Sequence, residues 1–548
     1  MKYSEFSSFF PCFIAFLFSF SLAASAYNRE HFLQCLSNHI SNTSSISKII
    51  YTPIDPSYAS ILHSTIMNPQ FAISPFTPNP LVIITPFHAS EVQATIICSK
   101  KYDLQIRTRS GGHDGAGLSY LSHVPYVILD LRNLSSIEVD VEDKTAWVQA
   151  GATLGEVYFT ISEKSSTLSF PAGFSYTIGV GGHFSGGGFG VLMRKYGLAA
   201  DNILDAHIVD ARGRVLDRKS MGQDLFWAIR GGGAVSFGVV IAWKIRLVPV
   251  PSKVTTFSVV RDLEKPETKK IVHQWQYVGN KFDEDMFLFV RIQTANSTSK
   301  GNTKPVLQAQ FLSVFLGRVE KLLPLMQKSF PELGLVEEDC IEMSWIQSIV
   351  LFNGFPSGTP PNVLLDRSKP QGRPISFIAK VDYVEKPIPE DVLERVWKRF
   401  YDLKVGVPLF QLYPYGARMS EIPQSEIPFP HRAGNRFQFT YLVRWDDDGD
   451  VTTNERHLDW IRSAYAYMTP YVTKNPRAAY LNYRDLDLGR NNDKGTTSYA
   501  QASTWGKSYF KDNFDRLVHV KTNVDPTNFF RNEQSIPPLP LRWKKRDD

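Results

Sequence analysis

Between residues 82 and 250 the chain alternates short apolar runs with segments of helical period. Leu81-Val82-Ile83-Ile84-Thr85 is short, apolar and rich in β-branched residues, which predicts a strand. Ser90 is placed to cap a helix running to about Lys100, and Leu104 to Thr108 predicts the next strand. Tyr126 to Leu131, Ser136 to Asp140 and Thr145 to Ala150 follow as β-branched runs bounded by turn residues. From about residue 253 to 475 the pattern changes. Phe437, Phe439, Tyr441, Val443 and Trp445 alternate with Gln438, Thr440, Leu442 and Arg444, a period of two that predicts a strand with one wetter face. Phe287 to Thr294, Val306 to Phe315, Ile375 to Val384 and Pro408 to Tyr413 are similar. Between them, Glu390 to Leu403 sets Val392, Leu393, Val396, Trp397 and Phe400 on one face of a helix. The expected class is α+β, with a middle domain built as an antiparallel sheet backed by helices.

At 548 residues the chain exceeds a single core, so more than one domain is expected. Lys2, an apolar run from Phe9 to Leu22 and then Ala24-Ser25-Ala26 read as a secretory signal peptide over residues 1–26. The run is short for a membrane anchor, and no second run is long enough to span a bilayer. The net charge of +6 is small for this length, and part of it sits in the tail Arg542-Trp543-Lys544-Lys545-Arg546. No Lys/Arg stripe suggests a nucleic-acid partner. Of the 4 cysteines, Cys12 leaves with the signal, and Cys35, Cys98 and Cys340 remain. One pair plus one free thiol is the simplest partition, and spacing does not choose the pair. Sequons at Asn42, Asn133 and Asn296 fit a glycosylated secretory protein. No metal site is expected.

The candidate chemistry lies in two Gly-rich loops. The first is Arg107-Thr108-Arg109-Ser110-Gly111-Gly112-His113-Asp114. The second runs from Phe170-Pro171-Ala172-Gly173 through Gly179-Val180-Gly181-Gly182-His183 to Gly186-Gly187-Gly188-Phe189-Gly190. Glycines this dense let a backbone approach a ligand closely, and successive N–H groups in such loops form nests for phosphate. Neither loop fits the dinucleotide fingerprint G-x-G-x-x-G between a strand and a helix. Each places a histidine among its glycines, delivering an imidazole to a site lined mostly by backbone.

Taken with Asp224-Leu225-Phe226-Trp227-Ala228-Ile229-Arg230-Gly231-Gly232-Gly233, Tyr480-Leu481-Asn482-Tyr483-Arg484-Asp485-Leu486-Asp487-Leu488-Gly489 and Val524-Asp525-Pro526-Thr527-Asn528-Phe529-Phe530, these motifs resemble the plant berberine bridge enzyme-like family. The resemblance runs from about residue 30 to about 540. It implies secreted flavoproteins with a two-part FAD-binding domain of the vanillyl-alcohol-oxidase type. It divides the chain into a signal peptide over 1–26, an N-terminal FAD part over 27–252, a substrate domain over 253–475 and a C-terminal FAD part over 476–548. The family pairs cysteines at the places of Cys35 and Cys98, which leaves Cys340 as a buried thiol.

The same resemblance implies site roles. The histidine of R-S-G-G-H, here His113, is bonded to the flavin 8α-methyl carbon, so FAD is expected to be covalently linked through one histidine. Many members add a second bond from a cysteine, but Ser175 stands in that place, and a hydroxyl is a far poorer nucleophile than a thiolate. Cofactor contacts are expected from Arg109, Ser110, Gly111, Gly112, Asp114, Ser175, Gly179, Gly182, His183, Gly187 and Asn482. His183 either supports the anionic reduced ring, as a cation or hydrogen-bond donor, or ties the Gly loop. Tyr483 and Tyr413 are the candidate catalytic groups on the substrate side. Tyr413 stands where berberine bridge enzyme has its glutamate, in Leu412-Tyr413-Pro414-Tyr415-Gly416-Ala417. With a free pKa near 10, a tyrosine acts as base only beside a cation that depresses it. Ile178, three residues after Ser175, is the expected oxygen gate.

The expected activity is hydride transfer from a small plant metabolite to flavin N5. The Ser175 replacement and the missing carboxylate resemble members that oxidise acetylated stemmadenine, so alkaloid C–N oxidation to an iminium leads. A carbohydrate or phenolic-alcohol oxidase, and a flavin-retaining cyclase or binding protein, are the rivals. Dioxygen is the expected acceptor, with a dehydrogenase as the alternative. A monomer in the secretory pathway, bound for an ER-derived vesicle, the vacuole or the apoplast, completes the expectation.

Overall fold

The computed structural model describes residues 28–40, 43–71, 78–296, 305–368, 375–402, 405–446 and 451–540. The expected leader, Asn42 and the basic tail lie outside them.

The described residues form sheets of four, five and seven strands and a two-stranded pair, Leu168–Ser169 with Val248–Pro249. In the first, Ile83–Ile84, Tyr126–Asp130 and Gln105–Arg109 run parallel, with Ile50–Tyr51 added antiparallel at the edge. Tyr126–Asp130 is the central strand and is buried along its whole length, as expected of a parallel strand covered on both faces. The crossover is the helix Ala89–Lys101. It starts one residue before the expected cap, because the Glu91 carboxylate accepts the backbone N–H groups of Phe87 and His88 at 2.7 and 3.1 Å, which makes His88 rather than Ser90 the N-cap. A disulfide joins Cys98 on this helix to Cys35 on the helix at residues 28–39. Cys340 is half-buried rather than buried, and burial pushes its thiol pKa up to about 11.

The second sheet is antiparallel, in the order Ile137–Asp140, Thr145–Gln149, Val239–Arg246, Ile203–Val209, Val215–Leu216. The helix Leu154–Lys164 leaves it through a reciprocal cap between Thr153 and Glu156. That cap brings Thr153 into a bridge with Gly179 of the second Gly-rich loop.

The third sheet has seven antiparallel strands in the order Cys340–Met343, Val254–Asp262, Pro305–Phe315, Met286–Asn296, Val407–Pro414, Phe437–Asp446, Ile375–Val384. Four helices, Pro266–Val278, Val319–Ser329, Glu390–Trp397 and Val451–Met468, accompany it. Val392, Leu393, Val396, Trp397 and Phe400 are all buried, as the helical period predicts. The wetter face expected at 438–444 is only half wet: Gln438 and Thr440 are 1% exposed. The cause is tertiary, because this face of the sheet closes over the cavity described next.

Candidate functional site

A cavity of about 550 Å³ lies between the two Gly-rich loops, the inner face of the large sheet and the C-terminal segment. Its floor is backbone. Gly111 and Gly179 touch so closely that a Cβ on Gly111 would stand 2.3 Å from Gly179 N, and one on Gly179 would stand 2.1 Å from Gly111 N. The contact is fixed from below: Ser110 Oγ donates to Ala150 O at 2.6 Å, and Val180 N and Gly181 N donate to Ala152 O and Ala150 O. Val180–Ser185 is a short helix rather than loop, and Gly231 N and Gly233 N both donate to Ser185 O at its end. That is the structural use of the third glycine motif.

His113 sits on the cavity wall with Nε2 2.8 Å from Thr177 Oγ1. Burial lowers its pKa to about 4, against the pull of a hydrogen bond to Thr177, so the imidazole is neutral at ordinary pH. With Nε2 engaged, Nδ1 is the ring nitrogen left for the cavity. His183 Nε2 accepts from Gly173 N at 2.9 Å, and burial, with His113 adding to it, lowers its pKa to about 3. It is therefore a neutral Nδ1–H tautomer that ties the second loop together and keeps Nδ1–H as a hydrogen-bond donor.

The segment around Ser175 is clamped although it has no cysteine. Asn353, just past the helix Trp345–Phe352, donates Nδ2 to Phe174 O at 2.7 Å and accepts from Tyr176 N at 3.2 Å. Leu154 N and Gly155 N donate to Ile178 O and Tyr176 O. Ile178 thus lines the cavity on a held backbone.

Ser110, Gly111, Gly112, Asp114, Ser175, Gly179, Gly182, Asn482 and both candidate tyrosines line the cavity with His113 and His183. Two expected residues do not. Arg109 is fully buried behind the loop, where Nε donates to Asp130 and its two Nη groups to Leu62 O and Ile61 O at 2.8 and 2.9 Å. Gly187 packs against Tyr480 and Phe429. Asn482 reaches the wall but donates Nδ2 to His183 O and Tyr480 Oη, both at 3.0 Å.

The roof is side chain. Tyr413 and Phe377 come from the large sheet, Phe174 from the second loop and Tyr483 from the C-terminal segment. Burial pushes Tyr483 up to about 12 and Tyr413 higher still, with Tyr483 adding to the rise in Tyr413 and Arg291 opposing it. No cation depresses Tyr483, since Arg484 turns away to donate to Gln534 O. Burial thus favours the neutral phenol at both positions. The C-terminal segment is held to the sheet by Lys380, whose Nζ bonds Asp485 at 2.7 Å and Asp487 at 2.8 Å. Neither Asn353 nor Lys380 was expected from sequence. A lysine and an aspartate inside the apolar run Ile375–Val384 are the signal that marks Lys380, because buried charges need partners. Asn353 carries no comparable mark.

A backbone nest, a neutral histidine with one ring nitrogen toward the cavity, and an open space over Gly182, where an added Cβ would meet nothing within 4 Å, fit a large flat phosphate-bearing cofactor. The sequence agrees. Residues 80–218 match the FAD binding domain family, and residues 479–537 match the family described as berberine and berberine like. The chain is 53% identical to cannabidiolic acid synthase-like 2 of Cannabis sativa over 99% of its length and 100% of the relative. It is 51% identical to tetrahydroberberine oxidase of Berberis wilsoniae over 95% of its length and 96% of the relative. Among solved structures, a grass pollen allergen with glucose dehydrogenase activity superposes with a TM-score of 0.85 at 42% identity, over 93% of this chain and 99% of that one; an isoleucine-to-valine variant of it is described as a glucose oxidase. Among the described residues no helix is long and apolar enough to cross a membrane. With the nest, the histidine and these relatives together, the chain belongs to the berberine bridge enzyme-like family of FAD-linked oxidoreductases.

Proposed function

We propose that the protein oxidises an amine-bearing specialised metabolite at the carbon beside nitrogen, giving an iminium. The roof of the cavity carries this reading. Tyr413 stands in place of a carboxylate, and Tyr413 and Tyr483 are both held protonated. An alcohol must lose its O–H proton as the hydride leaves, and a phenol with a raised pKa is a poor base for that. An amine supplies its own lone pair. The 51% identity to a protein named for oxidising tetrahydroberberine, a tertiary amine, supports the same class.

FAD, when bound, supplies the hydride acceptor. His113 Nδ1 is assigned the covalent tether, because Thr177 occupies Nε2 and burial keeps the ring neutral and nucleophilic. Ser175 makes no second link. Ser110, the glycines at 111, 112, 179 and 182, and Asp114 supply the cradle, and Asn482 fixes the strap that bears Tyr483. The aromatic roof excludes water from the reacting carbon.

Dioxygen is the proposed acceptor, with Ile178 as the gate. The pollen protein's isoleucine-to-valine variant, an oxidase where the parent is a dehydrogenase, supports such a gate. It also favours the second reading, a sugar dehydrogenase. The expected leader and the sequons support entry into the secretory pathway for an ER-derived vesicle, the vacuole or the apoplast, with glycans at Asn42, Asn133 and Asn296; the proposed state is a monomer. Asn133 also donates Nδ2 to Thr85 O.

Anaerobic mixing tests the substrate class. A tertiary isoquinoline amine is expected to bleach the flavin band, faster as pH rises and the amine deprotonates. Bleaching by glucose or a phenolic alcohol, and not by the amine, overturns it. Admitting oxygen to the reduced enzyme and to Ile178→Val then tests the gate, with faster reoxidation expected in the variant.

A further inference from the structure

Two arginines on the inner face of the large sheet have no role in the site as described. Arg291 is in register with Gln310 on one side and Gln411 on the other, and Gln411 with Thr440 beyond. Tyr413 lies two residues from Gln411, so it shares this face. Arg444 alternates with Thr440 and Leu442 and projects from the same face. Along the row Val260, Gln310, Arg291, Gln411, Thr440, exposure falls from 43% at Val260 to 8% at Gln411 and 1% at Thr440. The row runs from solvent into the protein with Arg291 midway, and Tyr413, on the same face, lines the cavity.

Neither guanidinium has a counter-ion among the described residues, and the Nε of each is buried without a hydrogen-bond partner. Other deeply placed arginines have partners for their charge: Arg109 has Asp130, Arg432 has Asp201, Arg477 has Asp382, and Arg194 has the carbonyls of Tyr415, Asp283 and Phe282, although Arg432 also has an Nε without a hydrogen-bond partner. The charged neighbour that acts on Arg444 is Arg291, a like charge, and the titratable neighbour of Arg291 is the neutral phenol of Tyr413. A half-buried cation left unpaired loses hydration without return. Two of them on the face that closes the active site call for an anion from outside.

We infer that Arg291 and Arg444 form an anion subsite that selects substrates carrying a carboxylate remote from the oxidised C–N bond. This rests on the amine-oxidation reading for the rest of the substrate. Arg291, with the Gln411 amide beside it, takes the carboxylate near Tyr413. Arg444 lies nearer the outer edge of the sheet and steers the anion inward.

The test uses oxidised, flavin-loaded protein and needs no turnover. Indole-3-carboxylate and its methyl ester are titrated while the flavin absorbance perturbation is followed. The acid is expected to bind more tightly than the ester, and only the acid should weaken as salt is added. Arg291→Met should weaken the acid by roughly tenfold or more and leave the ester unchanged. Arg444→Met, the more exposed change, should weaken the acid by less, with a shallower salt dependence. Equal affinity for acid and ester in the wild type overturns the inference, as does an Arg291→Met protein that loses both equally. Should Arg291→Met not load flavin, an unchanged acid affinity in Arg444→Met is still sufficient to refute the paired subsite. Because binding is read without reduction, failure of the subsite and failure of amine oxidation appear in different experiments.

Discussion

The floor and the roof of the cavity are built by opposite means. The floor is two stretches of backbone pressed together until no side chain fits between Gly111 and Gly179. It is fixed by main-chain bonds, one serine and two neutral imidazoles. The roof is a sheet face, the second loop and one strap, and it presents two phenols and the rings of Phe174 and Phe377. A site that must hold one cofactor is served by geometry that tolerates no variation. A site that must distinguish substrates is served by side chains that a strand can exchange without moving its backbone.

That contrast predicts a graded response to mutation. On the floor, Gly179→Ala places a Cβ 2.1 Å from both Gly111 N and Ser110 Oγ. Complete loss of bound flavin is expected, read as absence of the flavin band after purification. A variant with full flavin content would show that the loops can part. Behind the floor, Arg109→Met leaves Asp130 buried without its main partner and should cost about 3–5 kcal/mol in denaturant unfolding. The protein that does fold should retain flavin, because Arg109 does not line the cavity.

On the roof, Tyr413→Phe and Tyr483→Phe each remove one neutral hydroxyl. Anaerobic reduction by an amine should slow by less than about tenfold with its pH profile in place, whereas loss of a general base costs about 10²–10⁴-fold. A fall of that size would return the tyrosines to the role of base. Smaller still, Asn353→Ala should cost about 1 kcal/mol in stability and change the reoxidation rate more than the reduction rate, since it frees the loop that carries Ile178.

Acid should act through the floor. His183 has a folded pKa of about 3, below the ordinary 6.5. The unfolded chain therefore binds more protons through this window. The contribution of His183 to stability is fully present above pH 6.5 and is lost as pH falls through 3. A thermal melt series from pH 7 to 4 should decline, less steeply in His183→Gln.

The floor was largely legible in the sequence. A close backbone approach requires glycine, so Gly111, Gly112, Gly179 and Gly182 announce it, and the histidines stand within the same motifs. What failed there was orientation. Arg109 belongs to the motif but is buried behind the loop, and Gly187 serves a ring behind the wall. The roof was far less legible. Period two identified Phe437–Asp446 as a strand, but register with neighbouring strands decides which residues reach the cavity. Arg444 therefore read as one more residue of the wetter face, and nothing singled out Arg291. Gln438 and Thr440 read as wet because nothing local reveals that the sheet is capped. Asn353 acts on Phe174 and Tyr176 across a long chain separation, and only tertiary structure brings them together.

The most direct test of the account is where the flavin is attached. Purified wild-type protein is denatured in acid, washed free of unbound cofactor and digested, and the flavin-bearing peptide is identified by mass. The account predicts that all retained flavin is on the peptide containing His113, and that none is retained in His113→Ala. Flavin on the peptide containing Ser175, or flavin still bound to denatured His113→Ala protein, would contradict it.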